Sequence, residues 1–126
     1  MLAPTERALQ HLLLLSDSEN AENCIVLGVQ MLSNCVTGRD DILDTVWPHW
    51  SLESTLIGSL LHSNHNNVVE STLILVQNCT RNSIQRSRLL LENQQGVIIL
   101  ELIIQKSFLS EECHEFWCKI FNTVKL

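Results

Sequence analysis

The sequence predicts an all-α fold built from helical repeats, and two observations carry that reading. The stretch Met31-Leu32-Ser33-Asn34-Cys35 returns as Leu75-Val76-Gln77-Asn78-Cys79 one 44-residue step later. Each copy ends in Asn-Cys after an apolar helical run, and each is followed by 28 residues that close on a serine, Ser63 and then Ser107. A period in the forties, made of apolar helical segments, is the signature of an α-solenoid of the armadillo or HEAT kind. The chain then divides into a capping helix (residues 1–19), a repeat (20–63), a second repeat (64–107) and a C-terminal helix (108–126), about two and a half repeats in one domain.

Each element has a local reason. Pro4 suits a first helical turn, and Ala8, Leu9, Leu12, Leu13 and Leu15 follow it as an apolar stripe. Ser16 with Glu19 fits a capping box that opens the next helix. There Ile25, Val29, Leu32 and Val36 share one face, with Cys24, Gly28, Met31 and Cys35 beside them. So wide an apolar arc predicts burial on two sides. Gly38 ends this helix. Arg39 to Trp47 reads as a short helix with Ile42, Leu43, Val46 and Trp47 inward, stopped by Pro48. Ser51 opens a third helix carrying Leu52, Leu56, Ile57, Leu60 and Leu61, and the polar run from His62 to Asn67 is a turn between repeats.

The order then recurs, with helices over Val68 to Cys79, Ser83 to Leu91 and Gly96 to Lys106. The β-branched run from Val97 to Ile104 has strand propensity, but its place in the repeat decides for helix. Ser110 caps a last helix, with Glu111 and Glu112 at its positive end and Cys113, Phe116, Trp117, Ile120, Phe121 and Val124 on its apolar face.

Composition narrows the function. Of 126 residues 45% are hydrophobic and 17% charged, which excludes a disordered chain. The net charge of −6 with eight basic residues gives no general attraction to nucleic acid or anionic membrane. Arg81, Arg86 and Arg88 form the basic cluster and read as a solvated helix face, with a phosphate contact as the alternative. Five cysteines, an odd count without a disulfide-scaffold spacing, are expected to be reduced and mostly buried in a cytoplasmic protein. Glu6 and His11 interrupt the N-terminal apolar stretch, so it does not read as a signal peptide. No apolar run approaches the roughly 18 residues a membrane span needs, so no membrane insertion is expected.

No catalytic, cofactor or metal residue is assigned. His62 and His65 are two ligands where zinc takes four, and a polar turn explains them as well. In Cys113, His114 and Cys118 only His114 and Cys118 share a helix face; core packing is the expected role, a metal or redox role the alternative. Asp40, Asp41 and Asp44 suit the start of a helix better than a catalytic pair. Asn78-Cys79-Thr80 matches a glycosylation sequon by chance, inside a buried helix. Scattered glycines make no phosphate loop. A non-enzymatic scaffold that binds protein partners is therefore expected; a Cys/His metal-handling protein and a purely structural oligomerisation module are the alternatives. Solenoids bind along a concave surface, assigned here to the helices Ser51 to His62 and Gly96 to Lys106, with Glu53, Ser54, Glu101 and Gln105 as contact residues. Trp50, in Val46-Trp47-Pro48-His49-Trp50, is either cover for the gap between helices or a partner anchor. Trp117 and Phe121 crowd the C-terminal helix with more aromatic surface than a cap needs, so self-association or partner docking is expected there.

The run from Leu27 to Cys35, the charged turn Asp40 to Asp44, and Val46-Trp47-Pro48-His49-Trp50 resemble the ataxin-10 family of armadillo-like proteins. Gln30, Leu32 and Asn34 match the family's helix end, with Val29 in place of its leucine, and Trp47 and His49 match its Val-Trp-x-His element. Leu60-Leu61-His62-Ser63-Asn64 and the helix from Val68 to Leu75 continue the likeness, which covers residues 21 to 108 and the middle of the family's chain. The resemblance implies a non-enzymatic scaffold with links to cytokinesis and hence cell division, cell survival, neurite growth and ciliary assembly.

Overall fold

The computed structural model describes residues 7, 19–52, 56–81, 83–92, 94–109, 111, 114–115 and 117–119. They are mostly helical, and no β-strand occurs among them. Helix α1 spans Glu19–Val36, α2 Asp40–Trp50, α3 Leu56–Leu61, α4 Asn66–Thr80, α5 Ile84–Arg88 and α6 Gln94–Lys106. A 3-10 turn, Leu89–Leu91, follows α5, and a second, Ser107–Leu109, follows α6. Glu111, His114, Glu115 and Trp117–Lys119 are helical too. The expected stripe from Ala8 to Leu15, the Ser16 capping box and the Ser110 cap lie outside the described residues.

One hydrophobic cluster runs from Ile25 in α1 to Trp117. Helices α1 and α4 lie against each other along their length, and α3 touches both α4 and α6. Some residues one 44-residue step apart are alike in burial: Ile25 and Val69, Leu32 and Val76, and Val29, Leu73 and Trp117 are all buried, whereas Met31 is exposed and Leu75 buried. Each such aliphatic side chain contributes on the order of 1.5–3 kcal/mol of burial. The segment from Val97 to Ile104 is helical within α6, because Ile99, Leu100 and Ile103 then turn one face to the core.

Two glycines are set by geometry. Gly38 has φ of +76°, the left-handed value that closes α1, and the chain reverses there with the Arg39 amide donating to the Val36 carbonyl at 2.9 Å. At Gly96, α6 presses on the preceding turn: a Cβ there would stand 2.6 Å from the Leu90 carbonyl oxygen.

The structure corrects four expectations. Pro48 does not stop its helix; α2 continues to Trp50, and Ser51 caps it with its amide 2.9 Å from the Trp47 carbonyl. Proline costs this helix a single hydrogen bond in its last turn, and buried Trp47 and Trp50 on either side hold that turn to the core. Ser51 therefore ends a helix rather than opening one. The wide apolar arc of α1 is covered on one side only: Leu27 is 64% and Met31 56% exposed, and Cys24 and Cys35 are exposed with them. The thiols are accordingly not mostly buried; Cys79 is, Cys118 is half-buried, and Cys113 lies outside the described residues.

Candidate functional site

Three polar contacts tie α1 to α4 and the residue before it. Near one end the Asn67 carboxamide donates to Glu22 Oε1 at 3.3 Å, and His65 Nδ1 lies 3.3 Å from Glu22 Oε2. Near the other, Asn78 Nδ2 donates to Ser33 Oγ at 2.8 Å. Between them runs a groove of about 210 Å³ lined by Gln30, Ser33, Asn34, Ser71, Ile74 and Asn78. Gln30, Asn34 and Ile74 are exposed there. A carboxamide donates and accepts at once. The lining is thus uncharged, with carboxamides and hydroxyls beside the exposed aliphatic Ile74, and it can both donate and accept hydrogen bonds.

A second cleft, of about 320 Å³, lies between α2 and α5 and is lined by Asp44, Trp47, Pro48, Gln85, Arg86, Leu89 and Glu92. Arg86 is buried at its edge. Its Nε donates to the Cys79 carbonyl at 2.7 Å, Nη1 to Asp44 at 2.8 Å and Nη2 to Asp40 at 2.9 Å. The Trp47 indole N–H donates to the Arg86 carbonyl at 2.6 Å. Arg86 is thus a clasp between the two halves of the chain and not part of a solvated face, whereas Arg81 and Arg88 are exposed. The same interior holds Cys79, whose thiol burial pushes up to about 12 against the opposing pull of the Arg86 charge.

The expected contact residues are not brought together. Trp50, at 2% exposure, belongs to the core, and so does Trp117. For Trp50 this agrees with the cover reading and corrects the partner-anchor one; for Trp117 it corrects the expected docking role, since neither side chain offers surface to a partner. Glu101 and Gln105 are exposed on one face of α6 but do not line the groove. Glu53, Ser54 and Phe121 lie outside the described residues. The expectation had missed Gln30, Asn34, Ser71 and Asn78. Their signal was present, since Asn34 and Asn78 are polar residues held at one repeat position inside apolar runs. His114 and Cys118 do meet, with Nε2 and Sγ 3.6 Å apart. Among the described residues no three or more His, Cys, Asp or Glu side chains come together as a metal could require. No helix among them is long and apolar enough to cross a membrane.

No family model matches this chain, and no curated protein or solved structure does.

Proposed function

We propose that the chain is an armadillo-like repeat scaffold of the ataxin-10 type that acts by binding a protein partner, in the cytoplasm and without catalysis of its own. The observation that carries this reading is the α1–α4 pairing. Helices one repeat apart in sequence lie side by side, and Asn34 and Asn78, 44 residues apart, both face the groove between them. Packing of each repeat on its neighbour is what a solenoid requires, and the α1–α4 contact is consistent with it; the groove lies between these helices and not on the expected third-helix surface. The groove's carboxamides favour an extended, uncharged stretch of polypeptide backbone as occupant.

The test is affinity capture with the intact chain beside its Asn34→Ala/Asn78→Ala double variant and its Glu101→Ala/Gln105→Ala variant, each confirmed folded by circular dichroism. A partner held by the wild type and by the α6 variant, and lost by the groove variant, supports the reading. A partner indifferent to Asn34 and Asn78 but lost with Glu101 and Gln105 moves the binding surface to α6.

A further inference from the structure

We propose that Cys118 is a modification site: a thiol activated by His114 that forms a mixed disulfide with a low-molecular-weight disulfide. Three side chains from the end of α6 and the helix beyond it form a directed chain of hydrogen bonds. Ser107 Oγ donates to the Ile104 carbonyl at 2.7 Å. A hydroxyl has one proton, so toward His114 Nδ1, 2.9 Å away, Ser107 Oγ is the acceptor. The imidazole therefore carries its proton on Nδ1 and turns the Nε2 lone pair to the Cys118 thiol at 3.6 Å. This is the tautomer a base needs. Phe108, 76% exposed, stacks on the imidazole with ring centroids 4.4 Å apart and holds its plane. Ser107 is buried while Cys118 is half-buried, so the orienting group is protected and the nucleophile is reachable.

The reaction balances without a further reagent. The Cys118 proton passes to His114 Nε2. The thiolate attacks one sulfur of the small disulfide, a new S–S bond forms and the old one breaks. The departing thiolate takes the proton from the imidazolium. The net change is protein thiol plus disulfide to mixed disulfide plus small thiol, and the incoming disulfide is the oxidant. The other cysteines supply internal references. Cys24 and Cys35 are exposed on α1, and Cys79 is sealed in the core with its thiol held neutral by burial.

The experiment is a timed reaction of the full chain with oxidised glutathione at neutral pH, with tandem mass spectrometry assigning adduct to each cysteine. Cys118 is expected to react faster than Cys24 and Cys35, because an adjacent imidazole base makes a thiol a better nucleophile, and Cys79 not at all. His114→Gln should bring Cys118 down to the reference rate and leave Cys24 and Cys35 unchanged; Ser107→Ala should cause a partial loss. Should the His114 variant fail to fold, the wild type in denaturant decides: the Cys118 advantage must vanish when the chain unfolds. Equal rates at Cys118, Cys24 and Cys35 in the folded protein, or an advantage that survives either His114→Gln or unfolding, overturns the proposal.

Discussion

Several polar contacts converge on Arg86. It satisfies a backbone carbonyl that α4 leaves open at Cys79 and reaches two carboxylates at the start of α2. The guanidinium is buried, but Asp40 and Asp44 are largely in solvent, so the ion pairs themselves are screened. The energy lies in the buried side. Arg86→Met should therefore cost about 1–3 kcal/mol, the range for orphaning a buried acceptor, while Asp40→Asn and Asp44→Asn should each cost less than about 1 kcal/mol. Denaturant midpoints of the three variants check this, and equal losses would show that the carboxylates dominate. Cys79 adds a pH dependence. Its thiol is held above its ordinary value of 9.0, at about 12, by burial. The folded state thus keeps the proton after the unfolded chain has lost it. The stability it contributes is fully present below pH 9 and is lost as pH rises toward 12. Cys79→Ala should flatten the alkaline limb of a stability–pH curve measured from pH 8 to 11, apart from its uniform cavity cost.

At the scale of elements, the helices were legible where a single rule governs them. Gly38 closed α1 as expected, and the alternation of two apolar faces with polar turns placed α1, α4 and α6 within a few residues. The misreadings arose where two rules compete. Pro48 disfavours helix locally, yet the burial of Trp50 carries α2 past it. At Val97 to Ile104, where propensity favours a strand, the repeat position gave the correct helix, and the core contacts of Ile99 and Ile103 agree. Gly96 illustrates a constraint that sequence hides. Nothing in its neighbours marks it, yet α6 can seat on the turn at Leu90 only because Gly96 lacks a Cβ. The blocking atom is backbone, which cannot rotate away. Gly96→Ala, although it raises helix propensity, should destabilise the chain by about 1–3 kcal/mol, as overpacking does. A thermal melt at or above the wild-type temperature would mean that α6 shifts freely.

At the scale of the whole molecule, periodicity revealed which residues are equivalent but not which surfaces face solvent. The 44-residue step pairs Val29 with Leu73 and Trp117, and all three are buried. It also pairs Cys35 with Cys79, of which one is exposed and the other sealed. The difference is position in the fold: α4 has neighbours on more sides than α1. Helix α4 touches α1, α3, α5, α6 and the Ser107–Leu109 turn, while the outward stripe of α1, Leu27 and Met31, is open. The groove is hidden from sequence for a related reason, since Asn34 and Asn78 come to line it only once α1 and α4 are side by side. If stability is a sum over neighbouring repeats, it must be highest at α4 and lower at α1. Native-state hydrogen exchange reads this directly. The amides of Leu73, Val76 and Cys79 should exchange slowest in the chain, at the rate of global unfolding. Those of Leu27 and Met31 should exchange earlier, through an opening that leaves α4 folded, and mild denaturant should separate the two sets. A single exchange free energy shared by α1 and α4 at all denaturant concentrations would instead describe one undivided core, and the repeat reading, with the groove that depends on it, would lose its physical basis.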